Sequence, residues 1–77
     1  MVLICFVKKR TVTVLSKESY SDIDWSLLGN EHVVNQIDQW VLDSKIGYRL
    51  AYNMWRLNNE ADVSSFLLRW HNAVIDL

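Results

Sequence analysis

The side chains able to do chemistry in this chain are one thiol, two imidazoles and nine carboxylates. Cys5 is the sole candidate thiol nucleophile, and it stands inside the apolar run VLICFV. A reactive thiol needs a partly exposed, electropositive setting, whereas a cysteine in an apolar run behaves as a small hydrophobe. Cys5 therefore reads as structural. His32 and His71 are far apart, belong to no HxxxH or HExxH pair, and have no second cysteine at metal-ligand spacing. Both read as surface or boundary residues. Asp22 and Asp24 flank Ile23 and could meet a cation, but no EF-hand-like loop surrounds them. Asp38, Asp43, Glu60, Asp62 and Asp76 are spread over helix caps and polar faces. No glycine-rich phosphate loop or GxSxG elbow occurs. The expectation is a protein without catalytic residues, metal or cofactor.

Residues suited to binding are easier to find. Lys8, Lys9 and Arg10 form one short cationic run. Leu68 and Ile75 are seven residues apart, on the side of the final helical segment opposite its apolar stripe. Trp55, Leu57 and Arg49 lie in an aromatic-rich stretch, and Trp and Arg are enriched among the energetic anchors of interfaces. These eight are the candidate partner contacts. The partner expected is another protein or a second copy of the chain.

Composition limits the alternatives. The 77 residues suit one domain, 1–77, near the lower limit for a self-sufficient core. Half the residues are hydrophobic and four are Trp, which argues against disorder. The net charge of −1 is poor for tracking phosphates, so a dedicated nucleic-acid module is disfavoured. A basic tip beside exposed aromatics keeps RNA-like recognition as the lesser alternative. A single cysteine fits a reducing, cytosolic setting. The opening apolar run is too short for a signal peptide's core, and no segment reaches bilayer-spanning length.

The elements that would position these residues follow from the pattern. Residues 2–7 read as a strand buried on both faces, and Thr-Val alternation over 11–15 as a second with one buried face. They form a hairpin with the three cations at its tip. No Gly or Asn is present for a primed two-residue turn, so the register is open by one residue. With Val7 opposite Thr11, Ile4, Phe6, Val12 and Val14 share one face. Leu3, Cys5, Val7, Thr11, Thr13 and Leu15 share the other. Residues 16–29 read as a polar connection, in which Ser21 or Asp22 could start one helical turn over Trp25 and Leu28.

Asn30 looks like an N-cap, followed by Val33, Ile37, Trp40, Val41 and Ser44 on one helix face, with Gly47 as terminator. Residues 48–57 read as a third strand, though a helix also suits so short a run. In 59–77, Asn59 caps a helix whose Val63, Phe66, Leu67, Trp70, Val74 and Leu77 recur at helical spacing. The fold class expected is α+β, a β-β-α-β-α two-layer sandwich. Its three-stranded antiparallel sheet has order 2-1-3, with both helices on one face. The other face would expose Leu3, Cys5 and Val7, flanked by Leu15, Ala51, Trp55 and Leu57, unless 16–29 fold across it. An apolar patch of that size marks an interface.

One stretch resembles a known group. MWRL at 54–57, NEAD at 59–62 and FLLRW at 66–70 are similar to a pattern near the C-termini of small uncharacterised tailed-phage accessory proteins. There a strand ending W-R-F leads through an acidic cap into a helix ending F-x-L-[RK]-W. This chain departs from it at Leu57, where Phe is expected, and at Val63, where Ala is usual. The resemblance implies a phage-encoded protein that binds and redirects a host protein in the host cytosol, with no catalytic residue to carry over. The expected function is thus non-enzymatic occlusion of a host protein. A self-associating virion or assembly component is the alternative.

Overall fold

The computed structural model describes residues 1–17, 30–74 and the backbone of 23 and 24. The apolar run and the Thr-Val alternation form β1 (Val2–Lys8) and β2 (Thr11–Lys17), an antiparallel hairpin. Lys8 pairs with Thr11, which leaves Lys9 and Arg10 as a two-residue turn. Lys9 takes the left-handed conformation there, at φ 57°, without the help of a glycine. The tight turn shifts the register by one from the expected Val7–Thr11 pairing. Val7 lies opposite Val12, and Cys5 opposite Val14. Leu3, Cys5 and Val7 therefore share a face with Val12 and Val14, not with Thr11, Thr13 and Leu15.

A two-residue strand, β3 (Ile23–Asp24), pairs with the end of β2 in place of a helical turn. The rest of that expected turn, with Trp25 and Leu28, lies outside the described residues. Helix α1 (Glu31–Ser44) follows Asn30 and buries Val33, Val34, Ile37 and Val41. Asn30 starts the helix without a side-chain cap. Lys45, not Gly47, ends it, in the left-handed conformation at φ 56°. Gly47 is instead the first residue of a strand, pressed against its neighbour. A Cβ there would run into the Arg56 carbonyl oxygen and come within 2.9 Å of the Leu57 Cα.

The expected single strand over 48–57 is a hairpin of two, β4 (Gly47–Ala51) and β5 (Met54–Leu57). The turn is held by side chains whose role depends on folding. Arg49 donates from Nε to the Ala51 carbonyl and from Nη2 to the Tyr52 carbonyl, at 3.0 and 2.7 Å. Asn53 bonds β2 twice: its Nδ2 donates to the Val14 carbonyl and its own carbonyl accepts the Val14 N–H. β5 thus pairs with β2, and the order of the four main strands is β1-β2-β5-β4. This corrects the expected three-stranded 2-1-3 sheet. β2 lies between β1 and β5, and β1 lies at an edge.

Helix α2 (Glu60–Trp70) is capped as expected, with the Asn59 side chain accepting the Asp62 N–H at 2.9 Å. Its stripe holds for Val63, Phe66, Leu67 and Trp70. Beyond Trp70 the chain leaves the helix, so Val74 is exposed and forms a bridge to Val2. Both helices pack on one face of the sheet, joined by an aromatic cluster. Trp40 meets Phe66 and Trp70 edge-on with ring centroids 6.0 and 6.1 Å apart, and Trp55 meets Phe66 at 6.0 Å. Edge-on pairs of this kind add to the gain from burial itself. The helices cover the face that carries Leu3, Cys5, Val12, Val14, Trp55 and Leu57. Of the α+β reading, the class, the antiparallel sheet and the two helices on one face stand.

Candidate functional site

The face away from the helices carries Ile4, Phe6 and Lys8 of β1 in place of the expected Leu3, Cys5 and Val7. Leu15 on it is buried, whereas its hairpin end is exposed among the described residues. Apart from the end of β2 and the backbone of β3, the expected cover by 16–29 lies outside them. Strand pairing sets two rows of side chains across this face: Phe6, Thr13, Met54 and Ala51, then Lys8, Thr11, Arg56 and Tyr48. With strands about 4.8 Å apart, the second row spans roughly 14 Å. Phe6 is 49% exposed and Tyr48 53%. Beside Phe6 a groove of about 390 Å³ is lined by Phe6, Val7, Thr11, Thr13 and Met54, with Lys8, Lys9 and Arg56. Among the described residues, three cations and no carboxylate line it. All five carboxylates whose side chains are described, Glu31, Asp38, Asp43, Glu60 and Asp62, belong to α1 and α2. Among the residues whose side chains are described, the hairpin end of the sheet is thus cationic and the carboxylates lie on the helices.

Of the expected contacts, Lys8, Lys9 and Arg10 lie at the hairpin tip and are exposed. Arg10 is braced across the sheet, its Nη1 donating to the Asn58 carbonyl at 2.8 Å. Trp55 and Leu57 are buried in the core, which corrects their place on the open face. Burial satisfies the Trp55 indole as well: its Nε1 donates to Asp38 Oδ1 of α1 at 3.2 Å. Arg49 shares the helix face with Trp55, brackets the β4–β5 turn and stacks on Tyr52, 5.4 Å from the ring centre. It is not an open-face anchor. Leu68 stands on the outer side of α2 and is 88% exposed. Ile75 lies outside the described residues. The expected contacts therefore do not form one site.

Phe6, Met54 and Arg56 were not among the expected contacts. Their signal was the period-2 alternation of MWRL: if Trp55 and Leu57 point inward, Met54 and Arg56 point outward. Which face was inward depended on where the helices packed.

The outer edge of β1 has structure of its own. After α2, residues 71–74 run beside it. The Leu3 N–H donates to the Ala73 carbonyl, and the Leu3 carbonyl accepts the Asn72 N–H, both at 2.9 Å. The Cys5 N–H donates to His71 Nδ1 at 3.0 Å. His71, expected to be a bystander, thus clasps a strand 66 positions away. Its Nδ1 must be unprotonated to accept that bond.

The helical layer carries a shallower cleft of about 340 Å³ lined by Gln36, Gln39, Trp40, Asp43, Arg69 and Trp70. Arg69 covers the Trp70 ring at 4.1 Å, and Gln39 donates to Asp43. Burial pushes the Cys5 thiol up to about 12, so the thiolate is scarce near neutral pH. Among the described residues no three His, Cys, Asp or Glu side chains converge. No helix among them is long and apolar enough to cross a membrane. No family model, curated protein or solved structure matches the chain.

Proposed function

We propose that this protein is a small, non-enzymatic binding module that docks an acidic partner protein on the open face of its sheet and occludes it. The observation that carries this reading is the groove at the hairpin end, where Lys8, Lys9 and Arg56 surround apolar Phe6 and Met54 with no carboxylate among the described residues that line it. Cations beside an exposed aromatic suit a surface that steers an anionic partner and then buries apolar area. The biological setting proposed is the one the C-terminal resemblance implies, a phage accessory protein acting on a host factor.

The test is titration of a fluorescent Glu/Val peptide against the intact protein and against Lys8→Glu with Lys9→Glu and Arg56→Glu. Charge reversal should weaken binding at least tenfold with the fold unchanged, and 0.5 M salt should act in the same direction. Equal affinity for both proteins overturns the proposal.

A second reading, single-stranded nucleic acid, is favoured by one observation: Phe6 and Tyr48 are exposed on the same face as Lys8 and Arg56. Bases stack on such aromatics while cations follow the backbone. An oligothymidylate that binds more tightly than the peptide, with a steep salt slope, decides for it.

A further inference from the structure

We infer, building on the acidic-partner reading, that the partner enters as an extended strand that adds to the free end of β1, its main chain on Val7 and its carboxylates beside Lys8 and Lys9. The edge of β1 is closed over only part of its length. Leu3 is bonded on its outer side by 72 and 73, and the Cys5 N–H is capped by His71 Nδ1. These bonds show that Leu3 and Cys5 direct their main-chain groups away from β2. Antiparallel pairing repeats every second residue, so Val7 directs its N–H and carbonyl outward too. No described residue bonds either group.

A strand edge in this state is a template for another strand. Natural sheets blunt such edges with lysine, and here Lys8 and Lys9 follow directly. The same cations attract a strand that carries carboxylates. The groove is continuous with the edge, because Val7 and Lys8 both line it. On a strand added beside β1, alternate side chains would fall next to Lys8 on the open face and next to Val7 on the other. Val7 is 42% exposed, enough to gain from an apolar neighbour. The occupant is therefore a segment of alternating acidic and apolar residues. A second copy fits poorly, since β1 against β1 brings Lys8, Lys9 and Arg10 of both chains together with no carboxylate among the described residues that line the groove.

The experiment uses the full chain and an acetylated, amidated Glu-Val-Glu-Val-Glu-Val peptide. Two further peptides carry N-methyl groups on the Glu amides or on the Val amides. In an added strand, one of these sets faces β1 and the other faces solvent. The expected result is that one isomer binds at least tenfold more weakly while the other matches the parent. Amide exchange at Val7 should slow at least tenfold when the parent binds. Val7→Pro, which removes the outward N–H at an edge position that tolerates proline, should weaken the parent to the same degree. If that variant fails to fold, the methylated pair still decides. Equal binding by all three peptides, with Val7 exchange unchanged and charge reversal still disruptive, overturns strand addition and leaves the acidic-partner reading intact. Parent binding indifferent to Lys8→Glu with Lys9→Glu overturns both. A dimer that protects the Val7 amide without peptide, or preference for oligothymidylate, overturns strand addition in favour of that occupant.

Discussion

Cys5 shows how burial favours the protonated form of a thiol. Its thiol is buried under α2, and burial raises it from 9.0 to about 12. In the unfolded chain the thiol ionises first, so between these limits the native state holds the extra proton. Stability should therefore fall as pH rises from about 9 toward 12. Urea titrations at stepped alkaline pH should show this decline, and Cys5→Ala should flatten it. Asp38 is a second such position, a surface carboxylate recruited by a buried indole. Asp38→Ala strips the Trp55 Nε1 donor of its partner and should cost about 1–3 kcal/mol in chemical denaturation. Lys45 offers the reverse case. It ends α1 at φ 56°, where a side chain is disfavoured, so Lys45→Gly should stabilise the protein by about 0.5–1 kcal/mol.

Among the elements, the β4–β5 hairpin decides the sheet. Its turn converts one expected strand into two and brings β5 beside β2, which moves β1 from centre to edge. Gly47 permits the close approach, because any Cβ meets β5 main chain as well as the Leu57 side chain. Gly47→Ala should lower stability by about 2 kcal/mol or more, through overpacking that the sheet can relieve only by shifting. The segment after α2 is the other deciding element. Replacing His71 by Phe keeps a ring but removes the acceptor for the Cys5 N–H. Amide exchange at Cys5 should then accelerate while Leu3, held by main-chain bonds to 72 and 73, stays protected. Equal acceleration at both would mean that the whole segment had detached.

On the scale of the molecule, folding sorts charge that the sequence intermixes. The hairpin tip and strands carry Lys8, Lys9, Arg10, Lys17, Arg49 and Arg56, while the carboxylates whose side chains are described lie on the helices, beside Arg69 of α2. A net charge of −1 therefore conceals, among the residues whose side chains are described, a cationic hairpin end and helices that carry the carboxylates. On the outer side of α2, Leu68 is the only large exposed apolar side chain among the described residues of that helix. Leu68→Glu should change stability by no more than about 0.5 kcal/mol. If copies associate through this side, light scattering with size-exclusion chromatography should show a dimer that this variant abolishes. A protein that is monomeric with and without the substitution counts against the assembly alternative.

Much was legible from local pattern. The first two strands, the Asn59 cap, the Val63, Phe66 and Trp70 stripe and the buried Cys5 all rest on near neighbours in the chain, where spacing and propensity act directly. The candidate site was not legible in the same way. Alternation showed that Trp55 and Leu57 oppose Met54 and Arg56, but both faces of the sheet could have taken the helices. Packing chose the face where Trp55 could meet Phe66 and reach Asp38, and that choice left Phe6 exposed and Met54 and Arg56 half-buried on the other side. The open end of β1 depends on contacts more distant still, between residues 3–5 and 71–73. Composition and period determined which elements form. Only the long-range contacts, which bury one face and leave the other to solvent, decided which side chains a partner can reach.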